Sequence, residues 1–435
     1  MNTLHVKYLL VGGGLASSAA AEAIRQHDAQ GSILLVAQEN NRPYHRPALS
    51  GEYMRRERSR ADLTTFPPGW MQEHDVELRT GRRVSHIDTS RACATLDNGQ
   101  VVSFDHVLLA TGASAKPLKI PGSDLPSVYS LRTLDDADRL HHAIDTALRD
   151  GHRHPRGVGR GRVAVIGAGL LGCELSASLS HLGLHVDLIV SQPHPWARFA
   201  GETTGAFLTR HLQNHGVDVH CGHRAEKLEG DGRAQRVVLG SDAGGGGETI
   251  ETDLVVAAVG ITINRDVLRD TPISAETAIL VDQRCRTNVP NIYAAGDCAA
   301  IFDPLFGKHR IIDHWENALL TGAIAGANMA GANERYDNVN HFMSDLFGLH
   351  VNVWGERRFV HHRLVRGNAV DAGGEGSFVE FGVAADGRIA QVIKVGADGE
   401  DSSVLKQCIA KRLQVNGIEE QIKDPAKSLA ENVGQ

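Results

Sequence analysis

The clearest pattern along the chain is an apolar run that ends in glycines and is followed by a helix-forming stretch. Val6 to Val11 is apolar, three glycines begin at Gly12, and Ala16 to Gln26 favours a helix. A second apolar run, Ile33 to Val36, arrives where the next parallel strand is expected. The start of the chain therefore predicts a βαβ unit.

The same order of elements begins again at Val163. Val163 to Ile166 is apolar and rich in β-branched residues, and a glycine-rich turn follows it. Glu174 to Leu182 favours a helix, and Val186 to Val190 supplies the next apolar run. The chain is therefore predicted to contain two such units.

Four further apolar runs extend the predicted sheets. Val107 to Leu109 and Val128 to Leu131 lie between the two units, whereas Leu254 to Val259 and Ile292 to Ala295 follow the second unit and each precede a glycine. The last two runs predict that the chain returns to a parallel sheet after the second unit. The first domain is therefore expected to be discontinuous.

The character of the sequence changes from about Tyr336 onward. Ser377 to Val383 and Ile389 to Val395 flank the turn Asp386-Gly387, an arrangement that is typical of a hairpin. Ser403 to Arg412 favours a closing helix. This part of the chain is predicted to form a smaller α+β domain.

Together these patterns predict an α/β fold with two Rossmann-like dinucleotide-binding domains, the first of them discontinuous, and a C-terminal α+β domain. The predicted boundaries are 1–126 and 257–331 for the first domain, 127–256 for the second and 332–435 for the third. Gly151 to Gly161 and the pair Gly373-Gly374 are predicted to be loops.

The composition narrows the class of protein. A hydrophobic content of 42% and a charged content of 22% are typical of a globular protein, and no apolar run is long enough to span a membrane. The N-terminus lacks the pattern of a secretory signal, so a cytoplasmic location is expected. The net charge of -7 disfavours a nucleic-acid partner. The oligomeric state is left open, and a homodimer is compatible with the sequence.

The six cysteines are scattered along the chain and form no CxxC pair. A metal site built on cysteines would need closer spacing, so no metal site is predicted. All six cysteines are expected to be reduced.

The first glycine turn has the spacing of a dinucleotide site. Gly12-x-Gly14, between a strand and a helix, lets the backbone approach a pyrophosphate, whose charge the helix N-terminus stabilises. Ser17 occupies the third small position. Glu39 follows 25 residues after Gly14, close to the distance at which a carboxylate accepts the ribose hydroxyls.

The second glycine turn is the complete form of this fingerprint, Gly167-x-Gly169-x-x-Gly172, again between a strand and a helix. The spacing therefore predicts a second dinucleotide site.

The second unit lacks the ribose-binding carboxylate, because Val190, Ser191 and Gln192 occupy the end of its next strand. Valine cannot accept a hydrogen bond, so a preference for NADH is not supported. NADPH becomes an alternative, with Arg198 or His194 as candidate phosphate partners. Both residues are equally compatible with an ordinary surface.

Several motifs resemble those of the FAD-dependent, NAD(P)H-linked reductases of ferredoxins and other small redox proteins, which have the pyridine nucleotide-disulfide oxidoreductase fold. The resemblance extends to apoptosis-inducing factor. It covers nearly the whole chain and follows the family order. The motifs are YLLVGGGLAS at 8–17, RPYHRPALS at 42–50, LLATG at 108–112, VIGAGLLGCELS at 165–176, NIYAAGDCA at 291–299, HWENAL at 314–319 and FMSDLFGLHVNVWG at 342–355.

The resemblance implies FAD in the first domain and NADH or NADPH in the second. It implies that Arg46 contacts the flavin nucleotide and that Asp297 hydrogen-bonds its ribitol or pyrophosphate. Taken alone, Asp297 is as compatible with a helix N-cap as with a ligand. Thr111, Gly112 and Gly260 are further cofactor-binding residues on this basis.

The resemblance also places two residues beside the flavin ring system. Trp315 falls where the family has residues next to the isoalloxazine, although an aromatic of this size also suits core packing. Glu174 resembles the family glutamate that faces the flavin, although a glutamate early in a helix also interacts favourably with the helix dipole.

Two departures from the family pattern concern the chemistry. The lysine that follows the LS of the family's RPPLSK segment, where it can pair with the glutamate, is Gly51 here. The tryptophan of the family's WSD segment is Met343. The missing cation is expected to slow reduction of the flavin, because it would have stabilised the reduced, anionic ring.

The leading interpretation is an FAD-dependent oxidoreductase that passes electrons from NAD(P)H through the flavin to a ferredoxin-like iron–sulfur protein. Residues 38–60 contain no cysteine, which disfavours a flavin-linked disulfide reductase. The alternative is a flavoprotein like apoptosis-inducing factor, in which nucleotide binding and redox state regulate association. Basic clusters at 55–60 and 357–363 are compatible with steering an acidic redoxin or with a solvated face.

Overall fold

The computed structural model describes residues 4–152, 160–241, 247–369, 376–397 and 399–433. The predicted loop at Gly373-Gly374, and most of the one from Gly151 to Gly161, lie outside these residues.

The described residues form 25 strands and nine α-helices. The strands are β1 (Leu4–Val11), β2 (Ile33–Val36), β3 (Val76–Arg79), β4 (Val84–Asp88), β5 (Cys93–Leu96), β6 (Val101–Leu109), β7 (Ala113–Ala115), β8 (Val128–Tyr129), β9 (Arg162–Ile166), β10 (His185–Val190), β11 (Val217–Cys221), β12 (His223–Glu229), β13 (Arg236–Ser241), β14 (Thr249–Glu251), β15 (Leu254–Ala257), β16 (Ile261–Ile263), β17 (Ile279–Val281), β18 (Ile292–Ala294), β19 (Ala299–Asp303), β20 (Lys308–Ile311), β21 (His341–Leu346), β22 (Leu349–Gly355), β23 (Val360–Gly367), β24 (Phe378–Ala384) and β25 (Ile389–Val395). The helices are α1 (Leu15–His27), α2 (Trp70–Glu73), α3 (Leu134–Asp150), α4 (Leu170–His181), α5 (Glu202–Asn214), α6 (Trp315–Met329), α7 (Ser402–Ala410), α8 (Glu419–Lys423) and α9 (Leu429–Val433). Across the described residues, every helix is too short or too polar to cross a lipid bilayer.

The chain divides into two compact units. The first comprises residues 1–48, 58–114 and 261–338, and the second comprises residues 49–57, 115–260 and 339–435. The first unit is therefore discontinuous in sequence, as expected. The division into three domains at the predicted boundaries stays a prediction.

The first unit is built on a seven-stranded sheet in the order β3-β2-β1-β6-β5-β4, and β18 pairs with β6. The neighbours of β1 are parallel to it, with Val11 opposite Val36 on one side and Leu109 on the other. A strand that is covered on both faces is mostly apolar, and β2 (ILLV) is fully buried. The predicted βαβ unit at the start of the chain is confirmed.

The second unit contains a five-stranded parallel sheet in the order β11-β10-β9-β15-β8. The strands predicted from Val163 and Val186 lie next to each other at its centre, with Ile166 opposite Ile189. The unit also holds a five-stranded antiparallel sheet, β21-β22-β25-β24-β23, in which the predicted hairpin pairs Phe378 with Val395.

One inference about the late apolar runs is wrong in part. Ile292–Ala294 does return to the first sheet, where it pairs with β6. Leu254–Ala257 instead joins the second sheet between β9 and β8. A fully buried parallel strand is apolar on both faces in either sheet, so the sequence pattern alone does not distinguish the two positions.

In the first unit, helix α1 packs directly on α6 through small residues. A Cβ atom on Gly322 would collide with the carbonyl oxygen of Ala16, and one on Gly326 with that of Ala20. The two helix backbones therefore touch where α6 carries glycine. This close approach fixes α6 against the helix that follows the first glycine turn.

We expect Gly322→Ala to destabilise the holoprotein, although alanine is the better helix former by about 1 kcal/mol. The added methyl group meets backbone rather than a movable side chain, and overpacking of this kind costs about 1–3 kcal/mol. Chemical denaturation followed by circular dichroism measures the change. Ala323→Ser, at a half-buried neighbour, is the control and should stay within about 0.5 kcal/mol of the parent. Equal stability of the two variants would contradict the close helix contact.

Candidate functional site

The first glycine turn joins β1 to α1 in the first unit. Gly12 has a φ of 124°, and a Cβ atom there would collide with the carbonyl oxygen of Ala110, so this position requires glycine. Gly14 is the N-cap of α1 and has no side-chain cap, and no atom lies within 4 Å of the Cβ position it leaves empty. The turn therefore leaves open space at the helix N-terminus.

This N-terminus fits the phosphates of a dinucleotide. The first N–H groups of a helix have no partner within the helix and carry partial positive charge. The hydroxyl of Ser17, in the first turn of α1, is buried and has no hydrogen-bond partner among the described residues. Open space, N–H donors and a hydroxyl are what a pyrophosphate needs.

Glu39 and Arg46 form a partly buried pair in the same unit. The guanidinium donates to one carboxylate oxygen of Glu39 over 2.7 Å, and the Tyr44 hydroxyl donates to the other, also over 2.7 Å. Burial opposes the charge on Arg46, but Tyr44, Glu39 and Asp297 outweigh it and raise the pKa of the guanidinium. The structure thus brings together three residues that the sequence predicted as cofactor ligands.

Asn264 organises the loop that carries two further predicted ligands. The Thr111 hydroxyl donates to the Asn264 carbonyl over 2.6 Å, and the Asn264 backbone N–H donates to the carbonyl of Gly112 over 3.0 Å. The Asn264 side-chain amide closes the bridge by donating to the Thr111 carbonyl. Sequence reasoning missed Asn264, because it lies 153 residues from Thr111 and belongs to no motif.

Asp297 lies in a short 3-10 turn, Gly296–Cys298, that is tied to α6. The Gly296 N–H donates to the Thr321 hydroxyl on α6 over 3.0 Å. The residue before this turn is Ala295, so Asp297 does not occupy an N-cap position. The alternative of a helix cap is therefore wrong for Asp297.

Trp315 is the first residue of α6. Its ring is half-buried, packs against the core of the first unit and lies 5.4 Å from the ring of His45. His45 belongs to the RPYHRPALS segment, which also carries Arg46. The predicted role of Trp315 beside the flavin stays a prediction.

The second glycine turn repeats the geometry of the first. Gly167 has a φ of 105°, and its missing Cβ makes room for the carbonyl oxygen of Ala258. Gly169 is the N-cap of α4, without a side-chain cap and with no atom within 4 Å of its Cβ position. A Cβ on Gly172 would collide with the Gly167 carbonyl oxygen, so α4 packs tightly on its own turn. This turn also fits a pyrophosphate.

Gly260 follows β15 in the second unit. It is exposed, has a φ of 106° and accepts a hydrogen bond from the Lys116 N–H over 2.9 Å. No atom lies within 4 Å of its Cβ position, so there is room for a ligand beside this strand end.

Glu174, on α4, is held by two hydroxyl groups. Ser50 donates to one carboxylate oxygen over 2.7 Å and Ser344 to the other over 2.8 Å. Burial raises the pKa of Glu174, the two hydrogen bonds lower it in part, and the charges of Asp345 and Glu52 raise it further. Among the described residues, no lysine, arginine or histidine forms an ion pair with Glu174. The two serines were missed, although both lie in motifs of the resemblance.

Gly51, where the family has lysine, is next to Ser50. The Cβ position of Gly51 meets only a guanidinium nitrogen of Arg55, at 3.8 Å, and its φ is not positive. The backbone therefore accepts a side chain at this position. Arg55 itself is engaged with Glu57, to which it donates two hydrogen bonds of 2.8 Å.

The basic clusters predicted from the sequence are largely paired. Arg56 forms an ion pair with Asp145 in the second unit, and the Arg58 guanidinium donates to the Asp62 carbonyl in the first. Arg363 pairs with the buried carboxylate of Glu380 rather than facing solvent. Less free positive charge is left for steering a partner than the sequence suggested.

All six cysteines are free thiols, and burial raises the pKa of each. A thiol with a raised pKa is a poor nucleophile, so none has the character of a redox-active cysteine. The cysteines are Cys93, Cys173, Cys221, Cys285, Cys298 and Cys408.

One group of side chains within the described residues has metal-ligand chemistry. His185, Asp187 and Asp218 offer ligand atoms that lie within 4.8 Å of one another. Arg162 and His220 also contact Asp187, at 3.4 and 2.9 Å, so the guanidinium of Arg162 already places positive charge beside this carboxylate. The absence of a metal site stays a prediction.

Comparison with known proteins gives consistent matches over most of the chain. The family model described as pyridine nucleotide-disulphide oxidoreductase matches residues 6–322. Rhodocoxin reductase of Rhodococcus erythropolis is 31% identical over 369 residues, which cover 84% of this chain and 81% of that protein. The anthranilate 1,2-dioxygenase system ferredoxin--NAD(+) reductase component of Burkholderia cepacia is 30% identical over 410 residues, 93% of this chain and 94% of that one.

Two solved structures have the same fold. The ferredoxin reductase for the CYP199A2 system from Rhodopseudomonas palustris matches with a TM-score of 0.86 and 28% identity, over 98% of this chain and 99% of that one. The covalent putidaredoxin reductase–putidaredoxin complex matches with a TM-score of 0.87 and 24% identity, over 100% and 99% of the two chains. The predicted α/β fold with two Rossmann-like domains is thereby confirmed. With a family model that covers most of its length and relatives at 30% identity or more, this chain belongs to the pyridine nucleotide-disulphide oxidoreductase family.

Proposed function

We propose that this protein is an FAD-dependent oxidoreductase that takes electrons from NADH or NADPH and delivers them to a ferredoxin-like iron–sulfur protein. The observation that carries the proposal is the pair of glycine turns, one in each unit, each with an uncapped helix N-terminus and open space at its second glycine. When bound, FAD supplies the exchange between two-electron and one-electron transfer.

Each unit contributes its own set of residues. In the first, the N-terminus of α1 holds the flavin pyrophosphate, Glu39 accepts the ribose hydroxyls, and Arg46 stays cationic beside them. In the second, the N-terminus of α4 holds the pyridine nucleotide pyrophosphate, and Ser50 and Ser344 fix the carboxyl group of Glu174. No residue is required to act as a nucleophile.

A redoxin as acceptor agrees with the thiols of this chain. A flavin-linked disulfide reductase needs a reactive cysteine pair, whereas the six cysteines here are unpaired and have raised pKa values. Relatives in the comparison are named ferredoxin--NAD(+) reductase components and rubredoxin-NAD(+) reductase. We also infer a cytoplasmic location, which suits free thiols.

The direct test is anaerobic stopped-flow mixing of the purified holoprotein with NADH and, separately, with NADPH. We expect at least one nucleotide to bleach the flavin absorbance within seconds, on the scale of ordinary turnover rates of about 1–1,000 per second. Added ferredoxin should then restore the absorbance. Binding of both nucleotides without bleaching would instead support the regulatory role known for proteins like apoptosis-inducing factor.

Matched substitutions in the two glycine turns should each remove a different cofactor. Gly14 and Gly169 both have a negative φ, and no protein atom lies within 4 Å of the position where a Cβ atom would stand. The variants Gly14→Val and Gly169→Val should therefore fold, while the valine side chain occupies the space that the ligand needs. We expect Gly169→Val to retain FAD and to weaken NAD(P)H binding by about tenfold or more, a cost of about 1.4 kcal/mol. Gly14→Val should lose FAD instead. Flavin content and calorimetric titration measure both losses, and loss of both ligands in both variants would contradict two separate sites.

Gly51→Lys should speed the reduction of bound FAD by NAD(P)H. A lysine next to Ser50 brings a cation toward Glu174, whose carboxylate has only hydroxyl donors at present, and an ion pair lowers the raised pKa of Glu174. We expect an acceleration of about tenfold, equivalent to about 1.4 kcal/mol of barrier. Gly51→Met, which has similar length and no charge, is the control. Equal rates in the two variants would show that the cation is irrelevant.

A further inference from the structure

The adenosine end of the second nucleotide site lacks a carboxylate and has an arginine nearby, and we propose that it recognises the 2′-phosphate of NADPH. This inference rests on the proposed function, in which the Gly167 turn binds a pyridine nucleotide. It goes further in assigning the substrate as the phosphorylated form of that nucleotide.

The two glycine turns provide an internal comparison within one chain. The Gly12 N–H donates to the carbonyl of Val36 over 2.9 Å, and the Gly167 N–H donates to the carbonyl of Ile189 over 2.9 Å. Val36 and Ile189 are therefore equivalent positions. Three residues further on, the first unit has Glu39, whereas the second has Gln192.

The difference between a carboxylate and an amide decides what fits at this strand end. A carboxylate accepts hydrogen bonds from both ribose hydroxyls and repels a phosphate on the 2′ oxygen. From Val190 to Gln192 the second unit has no carboxylate, and the side chains of Ser191 and Gln192 are exposed. Their hydroxyl and amide groups can donate hydrogen bonds to phosphate oxygens.

Arg198 supplies the positive charge. It is exposed, and among the described residues it has no ion-pair or hydrogen-bond partner. Arg55, Arg363 and Arg366 of the same unit are paired, so their charges are already matched. A guanidinium offers a planar pair of N–H donors that matches two phosphate oxygens.

The segment that carries Arg198 is anchored on the glycine turn. The Trp196 N–H donates to the carbonyl of Ala168, the residue between Gly167 and Gly169, over 3.0 Å, and the Trp196 side chain is only 1% exposed. Two residues span at most about 7 Å, so the Arg198 backbone lies close to the nucleotide turn. On the other side of the segment, the Gly222 N–H donates to the Gln192 carbonyl over 3.0 Å and fixes the strand end.

His194, the other candidate from the sequence, is the weaker one. Its Nδ1 lies 2.8 Å from the carbonyl oxygen of Pro195, and a carbonyl only accepts, so this nitrogen carries a proton and is already used. Its ring also fills the space beside Gly205 of α5. His194 therefore serves to shape the segment, and the charge comes from Arg198.

The test compares 2′,5′-ADP with 5′-ADP as probes of the intact FAD-loaded protein by calorimetric titration. We expect 2′,5′-ADP to bind about tenfold more tightly at low salt, because one added phosphate meets one free arginine. Arg198→Leu should remove that advantage and leave the affinity for 5′-ADP unchanged. Arg149→Leu, at an exposed arginine of α3 in the same unit, is the matched control and should keep the advantage.

Gln192→Glu provides a second, independent variant, because it introduces the residue that the first unit has at the equivalent position, Glu39. We expect it to weaken 2′,5′-ADP binding by about tenfold through repulsion between carboxylate and phosphate. Binding of 5′-ADP that is as tight as that of 2′,5′-ADP in the parent protein would overturn the inference and leave the proposed function intact. If neither probe nor NADH binds, the pyridine nucleotide site itself is wrong, and both proposals fail.

Discussion

A carbonyl oxygen occupies the space that a side chain on Gly12 would need, and the same holds for Gly167 in the second unit. These backbone approaches bring the end of a parallel strand against the neighbouring loop and turn the chain sharply into a helix. The helix then begins at Gly14 or Gly169, with N–H groups that no side chain caps. Both pyrophosphate sites depend on this constraint, because it leaves N–H donors and open space at the same point.

The parts of the structure that the sequence predicts are local. The glycine turns, the buried strands around them and the hairpin of β24 and β25 are each encoded within about forty residues, so spacing and periodicity suffice. The sheet to which Leu254–Ala257 belongs was not predictable, because a strand buried on both faces looks alike in either sheet. The partners of Glu174 were not predictable for another reason. Ser344 is 170 residues away, and only the fold brings them together.

Two glutamates show how burial and partners set the character of a carboxyl group. Glu39 shares its oxygens between a guanidinium and a phenol, so its negative charge is matched. Glu174 has two hydroxyl donors and nearby acidic groups, and burial raises its pKa. The serines thus satisfy the hydrogen bonding of Glu174 without neutralising its charge. The backbone accepts glycine at position 51, where the family has lysine. The consequence is electrostatic, because Glu174 has hydroxyl donors and, within the described part of the chain, no cation paired with it.

The measurement that tests the account most directly is the stoichiometry of bound nucleotides. Flavin released by heating the purified protein is quantified by absorbance, and pyridine nucleotide binding to the loaded protein is titrated by calorimetry. The account predicts one FAD per chain and one further nucleotide per chain, which bind without displacing each other. A protein that retains no flavin, or one in which FAD and pyridine nucleotide compete for a single site, would contradict it.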